Sequence, residues 1–176
     1  MLFVFLLSAA AFPLPRPGER VPIAVIEGND GGRTDGTAWR SADLLGRVMV
    51  VYYVDPDERE LNDPLYEALK REDFPLDKSQ SVAIINMAAT IMPNFLISTM
   101  LKKKQKQYPR TLYVRDRQSV LVKQWGLADN SSCVTVVDAN GRLVFSQCGR
   151  LSDPEIKTCI ESIWRAINNG ASPPSN

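Results

Sequence analysis

Three cysteines, Cys133, Cys148 and Cys159, are the side chains here best suited to covalent chemistry. The first two bracket a run, Cys133–Cys148, in which two β-rich stretches flank Asp138-Ala139-Asn140-Gly141. The Asn-Gly step supplies the positive φ angles of a tight hairpin turn. If Asn140 and Gly141 alone make the turn, Cys133 and Cys148 face each other within disulfide reach. If Asp138–Gly141 closes as a type I turn with a bulge at the glycine, the register slips and the pair is offset. Cys148 to Cys159 is the rival bridge. Cys133–Cys148 is favoured, and an oxidising compartment favours some bridge. Cys159 shares a helical stripe with Ile156 and Ile163 and reads as buried packing. A thiol enzyme would use Cys133 as its reactive group, coupled to Cys148 or Cys159, but no cation beside Cys133 in sequence would activate it.

There is no histidine, which removes the commonest general base and imidazole metal ligands. The acidic stretch Asp55-Pro56-Asp57-Glu58-Arg59-Glu60 offers paired carboxylates, but not the regular spacing and turn glycine of a calcium loop. It reads more simply as acids complementing a helix N-terminus. Lys102, Lys103, Lys104 and Lys106 sit where cations stabilise a helix C-terminus. Gly28–Gly36 matches no phosphate-loop spacing. With 21 basic and 20 acidic residues the net charge is +1, which disfavours nucleic acid as partner. No cofactor or metal is implied.

These groups must be positioned by alternating strands and helices. Pro22–Glu27 reads as a short strand and Arg47–Asp55 as a central strand covered on both faces. A helix is expected from Glu58 to Arg71, with Pro64 kinking it or marking its true first turn. Ser81–Met87 is a second buried strand. Pro93–Lys106 is an amphipathic helix with Ile97, Met100 and Leu101 inward, and Thr111–Asp116 is a third strand. Lys123-Gln124-Trp125-Gly126 reads as a loop, with Trp125 the aromatic placed to stack on a ligand. After the hairpin, Ser152-Asp153-Pro154-Glu155 is a capping box that opens a last helix. This order predicts an α/β, thioredoxin-like fold: a mixed central sheet, helices on both faces, and a C-terminal hairpin plus helix.

Trp39-x-Ser41-x-x-Leu44-x-Gly46-Arg47-Val48 resembles the segment before the active site of periplasmic thioredoxin-like proteins. Leu61-Asn62-Asp63-Pro64-Leu65, Phe74-Pro75, Ile84-Ile85-Asn86, Lys106-Gln107-Tyr108-Pro109, Val136-Val137-Asp138 and Gly141-Arg142 resemble the YtfJ family. The likeness runs from Val21 to Ile167. It implies a small exported thioredoxin-fold protein of Gram-negative bacteria, and brings no biochemical activity with it. Catalytic thioredoxins hold CxxC between the central strand and the first helix. Here that junction is Asp55–Leu61, without a cysteine, and its acids would raise a neighbouring thiol's pKa. Standard thiol–disulfide catalysis is excluded.

The first residues, Met1–Phe12, read as the apolar core of a signal peptide, too short for the roughly 20 residues of a membrane helix; because no Lys or Arg precedes the run, a buried N-terminal strand is the alternative. Residues 1–11 are then a leader, 12–20 a proline-rich connector, 21–169 the domain and 170–176 a loose tail. The expectation is a periplasmic, non-catalytic module holding a protein or peptide, with no membrane attachment after leader removal. Its cleft is expected where Asp55, Asp57, Glu58, Trp125, Ser131, Ser132 and Cys133 converge at the strand ends.

Overall fold

The computed structural model describes residues 13–170; the leader read at 1–11 and residues 171–176 of the tail lie outside them. In chain order the elements are β1 (Val25–Ile26), β2 (Gly31–Arg33), β3 (Trp39–Arg40), β4 (Val48–Val54), α1 (Asp63–Arg71), β5 (Ser79–Asn86), α2 (Asn94–Gln107), β6 (Thr111–Asp116), α3 (Val120–Trp125), β7 (Ser132–Val137), β8 (Leu143–Cys148) and α4 (Asp153–Asn169). Six strands form one sheet in the order β2-β6-β5-β4-β7-β8, while β1 and β3 pair separately. β6, β5 and β4 run parallel; β2, β7 and β8 join antiparallel. No helix among the described residues is long and apolar enough to cross a membrane.

The period-2 alternation of the strands divides the core in two. Met49, Val51, Tyr53, Val82, Ile84 and Cys133 point to one face, under α3 and the β1–β3 pair. Val48, Val50, Val134 and Val136 point to the other, under α1 and α4. On that second face α2 makes a separate cluster, Ala83, Ile97, Leu101 and Tyr113. Each isoleucine that α4 buries contributes roughly 1.5–3 kcal/mol, and Ile156, Ile163 and Ile167 do so. The Ser152 N–H donates to the Glu155 carboxylate at 2.7 Å, completing the expected capping box.

Several elements differ from expectation. The first helix starts at Asp63 rather than Glu58, because Pro64, lacking an N–H, fits a first turn and not an interior. Pro56–Glu58 before it is a separate 3-10 turn. The strand expected over Pro22–Glu27 shrinks to Val25–Ile26. The Gly28–Gly36 turn cluster contains an edge strand, β2. It lies so close to β6 that a side chain at Gly31 (φ 133°) would clash with the Arg115 carbonyl oxygen. Met100 is 43% exposed rather than inward. The connector is held, not free: the Gly18 N–H donates to the Leu143 carbonyl at 2.7 Å and the Val21 N–H to that of Gly141 at 2.9 Å.

The hairpin takes the wider of the two expected turns and still brings the cysteines face to face. The Gly141 N–H donates to the Asp138 carbonyl at 3.0 Å and the Asp138 N–H to that of Arg142 at 2.8 Å. The turn is therefore the wider one with the glycine bulge, which alone would offset the cysteines by one residue. A second bulge undoes the slip: Val137 pairs with Leu143 but Val136 with Phe145, leaving Val144 as the extra residue. Cys133 and Cys148 then face each other directly and are bridged, with Cα atoms 4.0 Å apart.

One buried amide ties the end of this hairpin to α1. The Asn62 side chain donates to the Gly149 carbonyl at 2.9 Å and to the Ser132 hydroxyl at 3.3 Å, and accepts from the Leu151 N–H at 2.9 Å. Truncation would strand a buried donor and acceptor, so Asn62→Ala should lose about 2 kcal/mol or more in urea unfolding. Gly31→Ala should lose at least about 2 kcal/mol through backbone strain and the clash with β6. An unchanged midpoint for either variant would contradict the contacts described.

Candidate functional site

The expected cleft lies where β4 and β7 meet. Asp55 follows β4 directly, and its N–H donates to the Ser131 carbonyl at 2.9 Å. Its carboxylate accepts from the Asp57 N–H at 2.9 Å and so opens the turn at Pro56. Burial pushes the Asp55 carboxyl above its ordinary value, the Asp57 N–H opposes this, and the charges of Asp57, Glu58 and Asp129 add to the rise. Asp57 and Glu58 are exposed beside it and Ser131 is half-buried.

The remaining expected residues are not available at this end. Ser132 is fully buried, with its hydroxyl 3.3 Å from both the Asn62 amide and the Tyr66 hydroxyl. Cys133 is 0% exposed. Trp125 is corrected outright: it closes α3, is 0% exposed, and donates its indole N–H to the Pro22 carbonyl at 2.8 Å. No ligand can stack on it. The loop reading failed because Asp116 turns the chain there into a helix, accepting from the Gln118 N–H at 3.1 Å and the Leu121 N–H at 3.2 Å. Among the described residues no group of three His, Cys, Asp or Glu side chains could hold a metal ion.

The sheet separates the free thiol from the bridge, in which Cys133 is buried and Cys148 half-buried. The bridge lies on the α3 face, whereas Cys159 packs in the cluster under α1 and α4 on the other face. Cys159 is buried, which pushes its thiol up to about 12. A protonated thiol behind a sheet can neither attack the bridge nor pair with Cys133.

Open space lies elsewhere. A groove of about 580 Å³ runs over the sheet between α1 and α2. Its floor includes Val50, Tyr52, Ser79, Ser81, Ala83 and Tyr113; Tyr66 and Leu69 wall one side and Met100 and Leu101 the other. Tyr52 meets Tyr66 edge-on, with ring centroids 5.2 Å apart. The volume is that of a small-molecule site. Leu76, Met100 and Tyr108 leave apolar surface open at the rim. The sequence analysis did not find this groove. The signal was the alternation in β5, where Ser79, Ser81 and Ala83 put small side chains on one face while Val82 and Ile84 fill the other. Small residues under two spaced helices leave a hollow.

Comparison with known proteins agrees with this architecture. Residues 29–166 match the family described as bacterial proteins of unknown function, YtfJ_HI0045. The uncharacterized protein YtfJ of Escherichia coli (strain K12) is 27% identical over 158 residues, covering 85% of this chain and 86% of that one. An uncharacterized protein of Haemophilus influenzae is 30% identical over 142 residues, covering 79% and 76%. Among solved structures, the thioredoxin-like superfamily protein SPOA0173 superimposes with a TM-score of 0.62 at 19% identity, covering 88% of this chain and 99% of that one, a likeness of fold. The chain therefore belongs to the YtfJ_HI0045 family, on a thioredoxin-like fold.

Proposed function

We propose that the protein is an exported, oxidised binding module that uses the thioredoxin scaffold to hold an apolar partner and performs no thiol exchange. The observation that carries this reading is the separation of thiols from open space. Cys133 is buried and Cys148 half-buried in the bridge, Cys159 is buried behind the sheet, and the groove between α1 and α2 contains no cysteine. The end of β4, where thioredoxin-fold enzymes carry their reactive cysteines, instead holds Asp55 and the turn beginning at Pro56. Export is supported by the apolar run Met1–Phe12 and by a bridge of the kind that persists in oxidising compartments.

The bridge then acts as a staple. It closes a 15-residue separation, worth about 3 kcal/mol by restriction of the unfolded chain. Cys133→Ser/Cys148→Ser should lower unfolding stability by about that amount. It should leave binding of an apolar fluorescent dye to the groove unchanged. The oxidised protein should show no thiol towards a maleimide when native and one, Cys159, when denatured. It should not accelerate insulin reduction by dithiothreitol. Accelerated insulin reduction, or loss of dye binding with the bridge, would overturn the reading.

A further inference from the structure

We propose that the groove between α1 and α2 holds a single-chain amphiphile, with its acyl chain along the sheet and an anionic head at Lys104 and Arg110. This rests on the binding function above and names the ligand class for that site.

The floor selects against a peptide. It is the face of the sheet, not an edge, and Val50, Tyr52, Ser81, Ala83 and Tyr113 already have their backbones in the ladders β4–β5 and β5–β6. An extended peptide laid there would find no backbone partners, and its N–H and C=O groups would be desolvated without compensation. A hydrocarbon chain has nothing to strand. The floor follows β4 from Val50 to Val54, roughly 13 Å at a rise of about 3.3 Å per residue, so it is elongated. Met92 and Met100, at the α2 side, are flexible thioethers that adapt to chains of varying shape.

The ends differ in charge. Of the four cations that line the groove, Arg59 pairs with Glu60 and Lys70 with Glu67. Lys104, in the last turn of α2, and Arg110, just before β6, make no ion pair among the described residues. Tyr108 lies between them in sequence at the same rim, and its N–H donates to the Lys104 carbonyl at 2.8 Å. On the opposite wall Glu72 is engaged by the Trp164 indole at 2.7 Å. Asp73 is exposed there, so an anionic head is held against the α2 wall. The site therefore presents an apolar trough whose α2 wall carries two unpaired cations opposite the acids Asp63, Glu67, Glu72 and Asp73, the complement of a fatty carboxylate or alkyl phosphate seated on the α2 side.

The test is displacement of N-phenyl-1-naphthylamine from the full-length oxidised protein by dodecanoate, dodecyl phosphate, dodecanol and dodecyltrimethylammonium, below their micelle concentrations. The two anions should bind about fivefold or more tighter than dodecanol, and the cation weakest. Decanoate should bind about tenfold weaker than dodecanoate, the two lost methylenes accounting for the difference. Comparison of the carboxylate with the phosphate separates the two sources of anion. Lys104→Glu/Arg110→Glu, at two exposed positions that make no ion pair, should abolish the preference of the anions over dodecanol. Equal binding of all four probes, or an anion preference that survives the double variant, would overturn this inference while the binding module stands. No displacement and no dye binding at all would overturn the binding module itself.

Discussion

The register of the β7–β8 hairpin is the constraint on which this molecule's candidate site depends. Two bulges on the β8 side, one at Gly141 and one at Val144, each add a residue and shift the pairing in the same sense, and the bridge between Cys133 and Cys148 is possible only because both are present. β7 pairs in turn with the central strand β4, setting Cys133 opposite Tyr53 and Ser132 opposite Val54. With that register Ser132 lies under the Asn62 amide and the Ser131 carbonyl receives the Asp55 N–H. The end of the sheet where thioredoxin-fold enzymes expose a thiol is thereby packed with hydrogen-bonded polar groups. A one-residue slip would turn every β7 side chain to the opposite face.

The same period-2 logic places the groove. β4 and β5 send Val51, Tyr53, Val82 and Ile84 into the core under α3, where they are fully or almost fully buried. Their alternate residues face α1 and α2, and there the small side chains Ser79, Ser81 and Ala83 leave α2 packed as a cluster apart from that of α1 and α4. Tyr52 spans both clusters. A hollow on the sheet face is the consequence, and with it an α2 that carries Phe95 at 68% exposure away from the groove and Met100 at 43% on the groove rim. The proposed binding function and ligand class both rest on this asymmetry between the two faces.

The fold was legible in sequence because its strongest signals are local. Val48–Val54 is a continuous apolar run, Asp138–Gly141 marks a turn and Ser152–Glu155 caps its helix, so the main strands and helices could be read from the chain, while the bridged pair stayed open because it depends on a second bulge at Val144. The capacity for chemistry was legible mainly by absence, through the missing histidines and the cysteine-free β4–α1 junction. What escaped depends on contacts between distant segments. Trp125 looked like a loop aromatic because its partner, the Pro22 carbonyl, lies 103 residues away. The edge strand β2 was hidden in glycines that serve close approach to β6, and the groove is a property of two helices and the spacing between them.

We propose that the bridge is structural and that the fold serves binding alone. Equilibration of the native protein in graded dithiothreitol redox buffers, with the Cys133–Cys148 pair quantified by mass spectrometry after thiol trapping, tests it most directly. A midpoint below about −300 mV, with Cys159 untrapped until denaturation, is the predicted result. A midpoint near about −200 mV, in the range of thiol–disulfide catalysts, would contradict it and make Cys133 part of a redox couple.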